Sequence, residues 1–197
     1  MPSSNETKGF SNLFFDWLSK SLGISRELIR SLDRDDDWVF VIKMHGILEA
    51  GLNHLLLTYF GNPKFRTIVA RLETSNDRSG KIAFIKAAGL LTDDACSFVK
   101  LFSKLRSHAV HDIKTFDLNL VKYFQSLNKT ERHNWGIALT SWSFDKAPKS
   151  VRHLALSIPR RGIYNSCMGV ILRCLEQHKA QEALLKEIEH GQSIPKE

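Results

Sequence analysis

Apolar residues recur along this chain at intervals of three and four, and nowhere do they settle into the strict alternation of a strand. Phe10, Leu13, Phe14, Trp17, Leu18 and Leu22 follow the i, i+3, i+4 rule, and Gly23 ends the run. RELIRSL adds a short segment. The longest predicted helix spans Asp35 to Phe60 and stops at Gly61-Asn62-Pro63, with Asp35, Asp36 and Asp37 placed at the positive end of its dipole. FRTIVARL reads as one or two amphipathic turns and ETSNDRSG as a polar loop. Ser79 is then the expected cap of a helix through Ala88, closed by Gly89.

Thr92 followed by Asp93-Asp94 has the form of an N-cap with acids in the first turn. The helix it opens carries Phe98, Phe102, Leu105 and Ala109 on one face and ends near His111. Leu118, Val121, Phe124 and Leu127 predict another helix, and NKTERHNWGIAL a further one. Pro148 and Pro159 punctuate the region before a long final helix from Arg160 to Glu189. Its seam is Ile163, Cys167, Val170 and Cys174, then Leu184, Leu185 and Ile188. The charged last part, HKAQEALLKEIEH, either projects as a partner or dimer helix or packs back on the same core. The fold class expected is all-α, with no sheet.

Composition narrows the class further. With 197 residues and 43% hydrophobic content, the chain is long enough to bury a core without staples. The three cysteines, Cys96, Cys167 and Cys174, form no CxxC or Cys/His cluster, and two turns of helix between the last two are too far for a disulfide. A reducing cytoplasm is the expected location. The longest apolar stretch, Trp38 to Phe60, is broken by Lys43, His45, Glu49, Asn53 and His54, so no membrane span is expected. The N-terminus MPSSNETKGF is polar where a signal peptide would be basic and then apolar. A net charge of +7 permits contact with phosphate, although the basic residues are scattered apart from a run in PKSVRHLALSIPRRG.

Four polar constellations remain. SNDRSGKI places Gly80 before Lys81, but Ser75 stands where a phosphate-binding loop needs its first glycine and Ile82 where it needs a hydroxyl, so that motif is rejected. His45 and Glu49 share a helix face and are expected to hydrogen-bond, while His54 points away, so no metal site is expected there. Asp33 with the following aspartates is read as helix-start acid rather than as a cation site, and no cofactor is expected. Finally, KLRSHAVHDI (Lys104–Ile113) holds Arg106, His108 and His111 at a helix C-terminus, where the dipole favours cations. His108 and His111 are neighbours at i, i+3, but Arg106 and His111 lie ~140° apart on a regular helix. A frayed helix end or a second copy of the chain would be needed to unite them.

Arg106-x4-His111 at the end of an apolar helix resembles the signature of HEPN domains, an all-α superfamily rich in RNA-cleaving proteins. More specifically, Asp35 to Leu118 resembles the MltR (mannitol operon repressor) family in three ordered blocks: ILEAGLNHLLLTYFG, SGKIAFIKAAGLLTDD and LRSHAVHDIKTFDL. Ser107 stands where asparagine is usual, Val110 where a small residue is typical, and Ile113 where an aromatic is frequent. The resemblance implies a HEPN-like helical bundle with additional C-terminal helices. It divides the chain into an N-terminal segment (1–34), an MltR/HEPN-like core (35–128) and a C-terminal extension packed on that core (129–197).

Two functions follow from the resemblance. In the first, the chain is a regulatory protein, a negative regulator of gene expression that forms a homodimer and acts through protein or RNA partners. No helix-turn-helix is found, so specific DNA binding is not expected. Lys104, Arg106 and Ser107 would then meet RNA or another anion. In the second, the chain is a metal-independent endoribonuclease. His111 would move the proton, Arg106 would hold the phosphate, Glu49 would orient either group, and His108 is an additional proton-transfer candidate.

Overall fold

The computed structural model describes residues 15–111, 117–140 and 147–191, from 178 onward by backbone alone. Among these residues every element is helical: α1 (15–22), α2 (Arg26–Ser31), α3 (Asp37–Phe60), a 3-10 turn (Pro63–Phe65), α4 (Arg66–Arg71), α5 (Lys81–Ala87), α6 (Asp93–His111), α7 (Leu120–Ser126), α8 (Lys129–Ala138), α9 (Lys149–Ser157) and α10 (Pro159–Gly191). None of these helices is long and apolar enough to cross a membrane.

Most boundaries are set by side chains within a turn of the helix end. Asp36 caps α3 by accepting from the Val39 amide at 2.8 Å. Thr92 accepts from the Ala95 amide at the start of α6, and Asn128 and Glu131 close a reciprocal capping box on α8. Gly23, Gly61 and Gly89 follow α1, α3 and α5 with positive φ, a conformation that costs a glycine nothing.

Several expectations are corrected. Ser79 does not cap α5. The helix begins at Lys81 after Gly80, with no side-chain cap, because Asn76 already engages the amides of Arg78 and Ser79 in its own turn. Val121 is exposed, and Leu120 with Phe124 forms the buried face of α7. The basic run after Pro148 is itself a helix, α9, and Pro159 is the first residue of α10, where its missing N–H costs nothing. Phe10, Leu13 and Phe14 lie outside the described residues, as do the side chains of Leu184, Leu185 and Ile188.

At the centre is α3. Phe40, Val41, Met44, Ile47, Leu48, Leu52, Leu55 and Leu56 are all buried, and at ~100° per residue they form one face about 180° wide, broader than a single-neighbour stripe. α10 runs parallel along it, its own Ile163, Cys167, Val170 and Cys174 buried as the seam predicts. α6 lies antiparallel on another side: the Trp38 indole donates to the Ala109 carbonyl at 2.7 Å near one end of the pair, and His45 meets Ser103 further along. α4 and α5 close a third side, α8 packs on α6, and α9 bridges α8 and α10. One hydrophobic cluster runs from Leu18 in α1 to Leu175 in α10, so the C-terminal segment supplies part of the same core. The three cysteines are free and buried in it.

Arg160 fastens the start of α10 to the start of α3. Its guanidinium lies 2.9 Å from the Asp37 carboxylate, donates to the Asp35 carbonyl at 2.7 Å and sits over the Phe40 ring at 4.5 Å. Asp37 also accepts from the Leu120 amide, which ties in α7. Lys43 pairs with Asp35 at 2.9 Å. The acidic run is thus occupied by a cap and two cations, and no cluster of three or more potential metal ligands occurs among the described residues.

Where α3 and α10 cross, Gly51 faces Ile171, and a Cβ at that position would stand 3.1 Å from the Ile171 Cγ1. Gly51→Leu should therefore wedge the two central helices apart and cost roughly 1–3 kcal/mol, read as a lowered urea midpoint. An unchanged midpoint would show that the crossing is looser than this packing implies.

Candidate functional site

The sequence gathers its chemistry-bearing residues on α3, α6 and the loop before α5, and the fold divides them into two groups. The first is an internal polar network. His45 is 8% exposed, and its Nε2 lies 3.0 Å from the Ser103 hydroxyl of α6. One turn further along α3, Glu49 accepts from the Lys81 ammonium at 2.6 Å and from the Thr74 hydroxyl at 3.2 Å. Lys81 is completely buried and also donates to the Leu72 carbonyl at 2.6 Å. The expected His45–Glu49 hydrogen bond is therefore replaced by two separate bonds, one to α6 and one to α5, although the two side chains still influence each other through charge.

Lys81 reaches this position because the 73–80 loop folds back on the start of α5. The Lys81 amide donates to the Glu73 carbonyl at 2.9 Å and the Ile82 amide to the Thr74 carbonyl at 3.2 Å. A Cβ on Gly80 would stand 2.4 Å from the Glu73 carbonyl oxygen, so only glycine fits the turn. The SGKI stretch is thus a device for burying a lysine. Sequence reasoning missed Lys81, Thr74 and Ser103 as members of the network. The one local signal for them was the glycine directly before the lysine.

Protonation in the network follows from its burial. Desolvation is the largest influence on His45 and, with the charges of Arg106 and Lys81, outweighs the attraction of Glu49 to lower its pKa to about 4. Burial pushes the Glu49 carboxyl up, but the Lys81 hydrogen bond and charge, together with His45 and Thr74, hold it below the ordinary value. His45 is therefore neutral and Glu49 ionised at neutral pH.

The second group lies on α6. The helix remains regular through His111, so its end does not fray to bring Arg106 and His111 together. Arg106 is half-buried, near enough to His45 to influence its charge, and has no hydrogen-bond or ion-pair partner among the described residues. Lys104, Ser107, His108 and His111 are exposed. By helical position Lys104, Ser107 and His111 share one strip with Lys100, which pairs with Asp77. His108 flanks that strip with its ring 6.0 Å from Tyr123. Lys100 and Lys104 also line a groove of about 390 Å³ between α6 and α8. The structure thus groups Arg106 with the Glu49 side of the fold and separates both from His111 on one chain. Glu49 is engaged by Lys81 and Thr74 rather than by Arg106 or His111.

Two measurements follow. Glu49→Ala would strand a buried ammonium and should cost about 3 kcal/mol, the lower end of the range for a broken pair because Glu49 is partly open, and Lys81→Met in the same chain should recover most of the loss. Between pH 6.5 and 4 the unfolded chain protonates His45 and the folded chain does not, so stability should fall as pH drops through that window by on the order of 3 kcal/mol. Protonation of Glu49 adds to the loss below pH 4.5. Urea unfolding at stepped pH should show this slope, and His45→Gln should flatten it above pH 4.5.

No protein-family model, curated protein or solved structure matches the chain.

Proposed function

We propose that this chain is an MltR-like regulatory protein, a negative regulator of gene expression that acts by contacting RNA or an acidic protein surface. One observation carries the reading. α6 presents Lys104, Ser107, His108 and His111 to solvent on a regular helix, while Arg106 is half-buried and close enough to influence His45, in a network whose acid is already engaged. A strip of exposed donors that includes a lysine suits recognition of an anion. A phosphate-holding arginine and a proton-moving histidine set ~140° apart on one helix do not suit catalysis within a single chain.

A second reading, a metal-independent HEPN-type endoribonuclease, draws support from Arg106. The residue is only partly buried and its donors are uncommitted among the described residues, which suits a phosphate. This reading needs a homodimer, in which a second copy brings an imidazole to each arginine.

Incubation with mixed RNA in chelator, beside His111→Ala, separates the two. Under the regulatory reading RNA stays intact with both proteins. Chelator-resistant cleavage that falls by roughly 10²–10⁴-fold in His111→Ala would overturn it in favour of the nuclease. Where RNA is the partner, Lys104→Ala should flatten the salt dependence of binding by about one unit of slope.

A further inference from the structure

α8 and α9 carry the same short pattern twenty residues apart: Lys129-Thr-Glu-Arg132-His133 and Lys149-Ser-Val-Arg152-His153. On a helix, positions i, i+3 and i+4 share a face. In the fold these two faces meet across an open cleft of about 460 Å³, lined by all six basic side chains, with Gly136 and Leu156, each at i+7 of its pattern, among its remaining walls. Among the described residues no carboxylate lines it. The one acid of α8, Glu131, is folded back onto the Asn128 amide at 2.9 Å, and α9 contains none.

This arrangement opposes both local and long-range electrostatics. Lys129 and Lys149 are the first residues of their helices, where the dipole disfavours a cation. α9 also begins without a side-chain cap, which leaves its positive end at the cleft. Four formal positive charges face one another, and the Arg152 Nε is buried with no hydrogen-bond partner among the described residues. A protein that holds like charges together without an internal counter-ion has a place for an external one.

We propose that the α8–α9 cleft is a phosphate-binding site that takes the phosphodiester backbone of a nucleic-acid strand. Each wall sets its lysine and arginine ~4.5 Å apart along the helix axis, so successive phosphates meet partners on either side, where a lone phosphate would use only a few. Guanidiniums supply forked donors to phosphate oxygens, and ammoniums supply charge. Apart from its two imidazoles the described residues of the cleft wall offer no aromatic surface for stacking, which favours contact to the backbone over contact to the bases. The site uses none of the α6 residues and stands independently of the regulatory reading.

The test is the binding of a dye-labelled single-stranded RNA 20-mer to the full chain by fluorescence anisotropy across a salt series. Arg132→Ala/Lys149→Ala should weaken binding at physiological salt by roughly tenfold and lower the salt slope by about two. Lys129→Gln/Lys149→Gln alters only exposed positions that the helix dipole disfavours. It should bind with the same reduced slope while its unfolding temperature stays at or above that of the wild type, a combination that a purely structural role would not produce. Wild-type affinity and slope in this folded double variant would overturn the proposal, as would a loss confined to Lys104→Ala, which would place the RNA on α6 alone. Inorganic tripolyphosphate bound as tightly as the 20-mer would overturn the assignment to a nucleic-acid strand.

Discussion

A 24-residue helix whose buried apolar face spans about half of its circumference needs more than one neighbour to cover it, and the architecture of this protein is the solution to that constraint. α10, α6 and the α4–α5 pair share the covering of α3. Gly51 leaves room for Ile171 of α10, and Arg160 fastens the start of α10 to the end of α3 where Asp37 and Phe40 lie. Enclosure also dictates what happens to the few polar residues of α3. Lys43, His45 and Glu49 cannot reach water freely, so each takes a partner from another element: Asp35, Ser103 and Lys81.

That requirement shapes the candidate site. Once Glu49 is committed to a buried lysine and His45 to a serine of α6, the α3 face opposite Arg106 is a structural polar seam with its protonation states fixed: imidazole neutral, carboxylate ionised. Arg106 lies beside this seam, and its charge helps keep His45 uncharged. The remaining polar residues of α6 fall on the opposite side, exposed, because Phe98, Phe102, Leu105 and Ala109 fill the core-facing positions. A single helix therefore serves two purposes. Its inner side completes the network around α3, and its outer side offers cations to a partner.

The C-terminal third has a comparable division. α10 belongs to the core and α8 lends it Trp135 and Ala138, while the other faces of α8 and α9 turn matched basic residues toward each other. α8 is also a wall of the groove that contains Lys100 and Lys104, so one helix separates two cation-bearing depressions. The basic character of the chain is concentrated by folding in a way that its linear distribution conceals.

The helices and most of their ends were legible in the amino-acid order because both are decided within about one turn of backbone. Asp36, Thr92 and Asn128 bond to amides three residues on, Gly61 ends α3, and the i, i+3, i+4 spacing selects the buried face of α6 and of α10 up to Cys174. Where a competing local bond was overlooked, as with Asn76 ahead of Ser79, the boundary moved. The partners of the functional side chains were decided by tertiary structure. Glu49 meets Lys81 across 32 residues, His45 meets Ser103 across 58, and Arg160 meets Asp37 across 123. No local preference specifies such pairs. They arise because enclosing α3 brings distant elements together and leaves each desolvated charge only the partner that the packing supplies.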